Sequence, residues 1–382
     1  MSVPILLFVN SQVRGGVEEV VLSLAKGLDS RGFETHLAAP AVLLEAWSRE
    51  LAGSRIRRVP ACFSSWRQAA EFKRFGRYLR DNGIRLVNTH LFRSTLFAAP
   101  VARLYGVPVV IETTHGPEAW RRGWLKRSCI VDRWVERLVT ANIAVSEANR
   151  RYLIEQKRYP AEKIHVVPNG RDLGRFARAS VREADAFRAR FGFEARHRVL
   201  LAVGRLEPQK DPVILLRAFR IVAQRFPEAR LLLAGDGSLR PQLEALAQEY
   251  ELADRIVFAG FQENIVPCYQ LAEIVVLSSL YEGMPLVAIE AGAAGRPIVA
   301  TAVDGTAEVV EQGRTGCLVP AGNAEALAGA VCSLLAEPDR GRQMGEAARE
   351  RVNRLFSFEQ QLDETIRIFT HYLGGSLRRQ AA

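Results

Sequence analysis

Short apolar runs recur along the whole chain, each followed by a stretch with helical spacing, and that alternation admits little besides parallel sheets covered by helices. In the first half the runs fall at residues 5–9, 34–38, 86–89, 109–113, 142–145 and 165–167. In the second they fall at 198–203, 230–234, 255–259, 274–277, 298–300 and 316–319. Two doubly wound α/β domains are expected, and 382 residues are enough for two ordinary cores. The stretch 173–197 is charged, rich in Arg and Ala and without a strand pattern. We therefore place the first domain at 1–175 and the second at 198–355. The final segment carries Phe358, Leu362, Ile366, Phe369 and Leu373 at helical spacing, which predicts a last helix within 356–382.

Composition narrows the function. The apolar opening, residues 3–9, is short, lacks a basic flank and runs into a polar turn, so it is read as a strand rather than a signal peptide or membrane span. The five cysteines, Cys62, Cys129, Cys268, Cys317 and Cys332, are odd in number, scattered and free of C-x-x-C spacing. They fit reduced thiols in a cytoplasmic protein, with neither a disulfide framework nor a zinc site. The net charge of +10 is uneven: residues 1–180 carry 29 Lys and Arg against 16 Asp and Glu, whereas 181–382 carry 23 against 26. A basic half suits nucleic acid, an anionic membrane surface or a phosphorylated substrate. No nucleic-acid-binding motif accompanies it, and nucleic acid is set aside.

The run from Ser278 to Ala291 places two carboxylates, Glu282 and Glu290, in a segment that otherwise reads as buried strand and helix. Gly283 and Pro285 punctuate the turn, Glu282 sits at the strand end, and the helix that follows is apolar or small except at Glu290. A buried carboxylate needs cations or hydroxyls around it. An Arg of the same domain is one such partner and a ligand is another. Upstream, Arg205 and Lys210 follow directly on a predicted strand end, a geometry that suits a diphosphate: a planar fork and a point charge. Further strands end in glycine turns at Gly235–Gly237 and at Gly260, beside Phe261. In the first half Gly15 and Gly16 lie between the first strand and a helix. Their backbone N–H groups are free to face an anion, although a plain turn would look the same. His90 and His115 each end a predicted strand, without the spacing of a metal pair; no D-x-D ends a strand, so metal-dependent chemistry is disfavoured.

Taken together, these residues resemble the retaining GT-B glycosyltransferases of family 4, whose E-x7-E signature is matched by Glu282 and Glu290, and the resemblance spans nearly the whole chain. It implies two Rossmann-like domains facing a cleft, with the last helix crossing back to the first domain. It implies a nucleotide diphosphate sugar, UDP- or GDP-linked, as donor, no cofactor and no metal. Donor contacts would come from Gly15, Gly16, Arg205, Lys210, Gly260, Phe261, Gly283, Met284, Pro285, Leu286 and Glu290. In the family's pattern Gly260 and Phe261 hold the base by backbone contacts, Glu290 holds the ribose, and Arg205 and Lys210 neutralise the leaving diphosphate. Glu282 and His115 position the sugar. His90 is left open between a structural and a functional role, and Asn169 and Gly170 match an interdomain turn. One departure is Asp211, where the family has glycine after the lysine; it affects the loop's conformation more than the role of Lys210.

The acceptor would be lipid-linked or a saccharide, in bacterial surface polysaccharide or lipopolysaccharide assembly at the inner face of the cell membrane. Two basic-aromatic stretches, 66–80 and 120–127, are candidates for contact with anionic lipid; an ordinary helix with a solvated basic face explains the first equally well. The alternatives are a sugar-nucleotide epimerase or phosphorylase on the same fold, and a non-catalytic sugar-nucleotide-binding protein.

Overall fold

Strands buried on both faces read as near-continuous apolar runs rather than alternating ones, and the central strands form in that way: Ile5 to Phe8 and Leu231 to Leu233 are almost wholly inaccessible. A computed structural model describes residues 2–117, 129–177 and 181–380. The chain makes two compact units, Met1–Asn169 with Glu359–Ala382, and Gly170–Phe358.

In the first unit β1 (Pro4–Val9), β2 (Glu34–Ala39), β3 (Arg57–Pro60), β4 (Leu86–His90), β5 (Val109–Thr114), β6 (Ala141–Ala144) and β7 (Ile164–Val166) form one sheet. Its order is β3-β2-β1-β4-β5-β6-β7, and every pairing is parallel. β3 is absent from the sequence-based expectation. Arg57, Arg58 and Pro60 are exposed and only Val59 is buried, the composition of a protected edge strand rather than a core one. Phe75 of the helix Ala69–Asp81 and Phe97 of the helix Phe92–Leu104 pack against Phe63, which also meets Phe8 of β1. The last helix, Phe358–Gln380, belongs to this unit from Glu359 onward. Arg31 pairs with Glu359 at 2.7 Å and Asp363 at 2.9 Å, His165 meets the Tyr372 hydroxyl at 2.9 Å, and Leu362, Phe369 and Leu373 are buried.

The second unit holds β8 (Arg198–Val203), β9 (Ala229–Ala234), β10 (Ile256–Gly260), β11 (Ala272–Leu277), β12 (Ile298–Thr301) and β13 (Gly316–Val319), in the parallel order β10-β9-β8-β11-β12-β13. Leu200, Leu216, Phe219, Leu231, Val299 and Leu327 lie in its core. The stretch expected as linker plus helix contains two helices, Leu173–Ala177 and Val181–Arg190.

Both sheets reverse their winding direction once, between β1 and β4 and between β8 and β11. Ligands of doubly wound sheets bind beyond the carboxyl ends of the strands at that reversal. The glycine pair follows β1 and His90 ends β4; Arg205 and Lys210 follow β8 and Glu282 follows β11.

Candidate functional site

In the second unit the loops leaving β8 and β11 are sewn together. Leu280 N–H donates to the Gln209 carbonyl at 2.8 Å, Gln209 Nε2 to the Tyr281 carbonyl at 3.1 Å, and Ser278 Oγ to the Lys210 carbonyl at 2.7 Å. Lys210 forms an ion pair with Glu282. Glu282 is 6% exposed, accepts a hydrogen bond from Ser279 Oγ at 2.7 Å, and donates its backbone N–H to Asp304 Oδ2 at 2.9 Å. Burial raises the pKa of the Asp304 carboxyl, and the neighbouring Glu282 charge pushes it the same way. Arg205 is exposed, and the only hydrogen bond of its guanidinium among the described residues is a long one to Gln209, 3.4 Å. A buried carboxylate oriented by a lysine, a serine and its own backbone thus stands beside an arginine left available for an anion.

Asp211 shows why the family glycine can be replaced. Its backbone is left-handed, with φ of 43°, a conformation that aspartate tolerates better than most residues. Its carboxylate caps the helix Pro212–Arg225 by accepting from Ile214 N–H at 3.3 Å. Lys210 is therefore held at the helix start without glycine.

Glu290 lies in the helix Leu286–Ala293 and is 4% exposed. Arg171 Nε donates to its Oε1 at 2.7 Å and Tyr269 Oη to its Oε2 at 2.7 Å. Burial and the adjacent carboxylate raise the Tyr269 pKa well above its ordinary value, so the phenol keeps the proton it donates. Arg171 lies before the boundary at 175 drawn from the sequence but belongs to the second unit, Gly170–Phe358, so the arginine partner within Glu290's own domain is present.

Gly204, Gly235 and Gly260 end β8, β9 and β10 in contact. Gly204 N–H donates to the Ala234 carbonyl at 3.0 Å and Gly235 N–H to the Gly260 carbonyl at 2.9 Å. A Cβ at Gly235, where φ is 145°, would lie 1.9 Å from the Gly204 carbonyl oxygen. Only glycine lets these strand ends close up. Beyond them Phe261 is 63% exposed. Gly283, Met284 and Pro285 are buried and lead into the first turn of the Glu290 helix at Leu286, where Ala288 N–H already donates to the Pro285 carbonyl at 3.1 Å.

In the first unit Gly15 caps the helix Gly16–Ser30 with extended backbone and no side-chain bond. A Cβ there would sit 3.1 Å from a carboxylate oxygen of Glu18, so Gly15 gives space to a buried acid. His90, wholly buried, and His115 stack with centroids 5.2 Å apart and ring planes at 25°, and His90 Nδ1 lies 2.9 Å from His115 Nε2. Burial lowers the His90 pKa well below the imidazole range and that of His115 to about 4.

The helix Ala69–Asp81 buries Phe75 and Leu79, and Phe72 stacks on Phe63. Lys73, Arg74, Arg77 and Arg80 are exposed, Arg74 pairing with Glu71 and Arg80 with Asp81, and Trp66 is 52% exposed. The stretch 120–127 lies outside the described residues. Among the described residues no helix is long and apolar enough to cross a membrane.

Arg171, Tyr269, Ser279 and Asp304 were not selected from sequence. Ser279 stands in the run from Ser278 to Ala291, three residues before Glu282; Arg171 and Tyr269 reach the Glu290 carboxylate, and Asp304 the Glu282 backbone N–H, from separate elements and leave no local mark.

The family model for glycosyl transferases group 1 matches residues 183–351, and the model for glycosyltransferase family 4 matches residues 14–175. The chain is 33% identical to the alpha-maltose-1-phosphate synthase of Mycolicibacterium smegmatis, over 74% of this chain and 78% of that one. It is 30% identical to an Escherichia coli enzyme, UDP-Gal:alpha-D-GlcNAc-diphosphoundecaprenol alpha-1,3-galactosyltransferase, over 61% of this chain and 62% of that one. Among solved structures, Anabaena HepE in complex with UDP-glucose superposes with a TM-score of 0.84 at 20% identity, covering 96% of this chain and 99% of that one. The strand ends, the carboxylate pair and these matches agree: the chain belongs to the family 4 glycosyltransferases of the GT-B fold.

Proposed function

We propose that this glycosyltransferase moves a sugar from a nucleotide diphosphate sugar to a hydroxyl of a lipid-linked or saccharide acceptor, with retention at the anomeric carbon and without a resident metal. The observation that carries the reading is the Lys210–Glu282 pair at the sheet reversal, with Arg205 exposed beside it. Two cations at the diphosphate position stabilise the charge that grows as the glycosidic bond breaks. In this role they replace a metal. Glu282, already oriented by Ser279, accepts hydrogen bonds from hydroxyls of the transferred sugar. Glu290 takes the ribose: Arg171 meets Oε1 through both Nε and Nη2, whereas Tyr269 uses only one of the two lone pairs of Oε2, so acceptor capacity remains on Oε2. Backbone groups at Gly260 and Phe261 take the base, those of Gly283 to Leu286 and of Gly15 and Gly16 approach the diphosphate, and His115 touches the transferred sugar.

The E. coli relative is named for a diphosphoundecaprenol saccharide acceptor. It supports a lipid-linked acceptor in surface polysaccharide or lipopolysaccharide assembly at the inner face of the membrane, with the basic helix Ala69–Asp81 resting on anionic lipid.

A panel of radiolabelled UDP- and GDP-sugars with short polyprenyl-diphosphate saccharides tests the reading. Transfer with an unchanged anomeric configuration by NMR, undiminished by EDTA, is expected. Inversion would remove the retaining assignment, and EDTA sensitivity the metal-independent one. Epimerised donor, phosphorolysis, or binding without turnover would select the corresponding alternative.

A further inference from the structure

The stacked histidines carry more information than their proximity. One hydrogen bond joins His90 Nδ1 and His115 Nε2, and each ring, when neutral, holds a single proton, so the pair has two arrangements. In the first, His115 donates from Nε2. His90 must then carry its proton on Nε2, a buried atom with no hydrogen-bond partner among the described residues, and the N–H donor is left without an acceptor there. In the second, His90 donates from Nδ1, its buried Nε2 is a bare lone pair, and His115 carries its proton on Nδ1. Orphaned buried N–H groups are the rarest kind of unmatched polar group in folded proteins, which favours the second arrangement. A doubly protonated ring is disfavoured because His90 is wholly buried and no carboxylate hydrogen-bonds to either ring among the described residues.

We infer that His90 is the positioning residue of His115: it donates from Nδ1 to His115 Nε2 and thereby fixes His115 as a neutral Nδ1–H donor. The Nε2 lone pair, the atom by which His115 would act as a base, is occupied by His90. What remains is an N–H donor, suited to an oxygen acceptor. On the reading above, that oxygen is a hydroxyl of the transferred sugar. His115 then holds a hydroxyl group in place and takes no proton from the acceptor. The stacking fixes the ring plane as the hydrogen bond fixes the tautomer.

Nitrogen-15 NMR of the histidine-labelled enzyme at neutral pH reads the tautomer directly and needs no variant. Expected are protonated Nδ1 and bare Nε2 on both rings. A protonated His115 Nε2, or a charged ring in either residue, overturns the inference. His90→Phe keeps a stacked ring without a donor, and His90→Asn places an amide N–H near the lost Nδ1–H. The first should release His115 to the Nε2–H form and lower kcat by roughly ten- to a hundredfold, the scale of a misplaced group at a reacting centre, with little change in donor KM. The second should restore the tautomer and most of the rate. Equal loss in both, with the His115 tautomer unchanged, would mean that His90 only packs, and overturns the inference. His115→Ala separates this question from the functional one: undiminished turnover would remove His115 from the sugar contact while leaving the measured tautomer standing.

Discussion

Glu290 has both carboxylate oxygens engaged inside its own unit, and this changes what its replacement should do. Glutamine can still accept from Tyr269 but leaves the Arg171 guanidinium, 17% exposed, without its counter-charge. Breaking a buried pair from one side costs about 3 to 5 kcal/mol, so Glu290→Gln should melt measurably lower. If Glu290 also holds the ribose, calorimetry should show donor affinity falling by about 2 to 5 kcal/mol. Arg171→Leu is the control: it strips the ion pair and leaves the carboxylate, so it should lose stability but keep donor affinity. Equal affinity loss in both variants would leave Glu290 a structural ion only. Arg205→Ala and Lys210→Ala should lower kcat more than they raise the donor Kd, because both cations meet the most charge when the sugar bond is breaking. Of the two, Lys210→Ala should be the worse, since it also strands the buried Glu282. Steady-state kinetics with a binding titration decide; unchanged turnover at saturating donor in both would end the leaving-group role.

At the scale of elements, the parallel strands were legible because burial on both faces makes most of them apolar runs; β4 and β5 begin apolar and turn polar towards their carboxyl ends, at Asn88 to His90 and Glu112 to Thr114. β3 was not legible, since an edge strand needs only one buried residue, Val59, and disguises itself with arginines and a proline. The site divides in the same way. Arg205, Lys210 and Glu282 sit directly after strand ends and could be found by position. Asp304 reaches the Glu282 backbone from the loop beyond β12, a meeting created by the β11–β12 pairing and marked by no local pattern. Nor could the sequence say that Glu290 would meet Arg171, 119 residues away. The glycine turns were legible as turns, but the reason for them was not: Gly235 is required by the Gly204 carbonyl as well as by its own φ. Gly235→Ala should therefore cost about 1 to 3 kcal/mol through forced backbone displacement, together with strain at a positive φ. A thermal melt within a degree of wild type would show that the strand ends accommodate a methyl group.

Over the molecule as a whole, the histidines set the acid limit. Burial lowers the His90 and His115 pKa values, and those of His36, His165 and His197 move the same way, so the folded chain refuses protons that the unfolded chain accepts. Where the unfolded state binds more protons, stability rises with pH. The contribution is complete above the unfolded value of 6.5 and is lost progressively as pH falls from there through about 4, the His115 value. Thermal melts at pH 7.5 and pH 5 should show a lower Tm at pH 5; an equal or higher one would mean that these imidazoles titrate normally. The uneven charge makes a second prediction for the whole protein. Sedimentation with liposomes should require anionic lipid, weaken with salt, and drop when Lys73, Arg74 and Arg77 become Ser, each cation contributing about 1 kcal/mol near the surface. Equal pelleting with neutral lipid would reduce the basic helix Ala69–Asp81 to a solvated face.

The first unit is assembled from both ends of the chain, and that has a consequence for biosynthesis. While the ribosome is still adding residues beyond Asn169, the first sheet waits without Leu362, Phe369 and Leu373, and Arg31 waits without Glu359 and Asp363. The second unit, Gly170–Phe358, is continuous in sequence and has all its residues before the last helix is made. Domains generally fold as units and in the order of synthesis, N-terminal first. Here the order of completion is inverted: the unit that begins first is finished last, and until then the apolar surface that Leu362, Phe369 and Leu373 cover stays open.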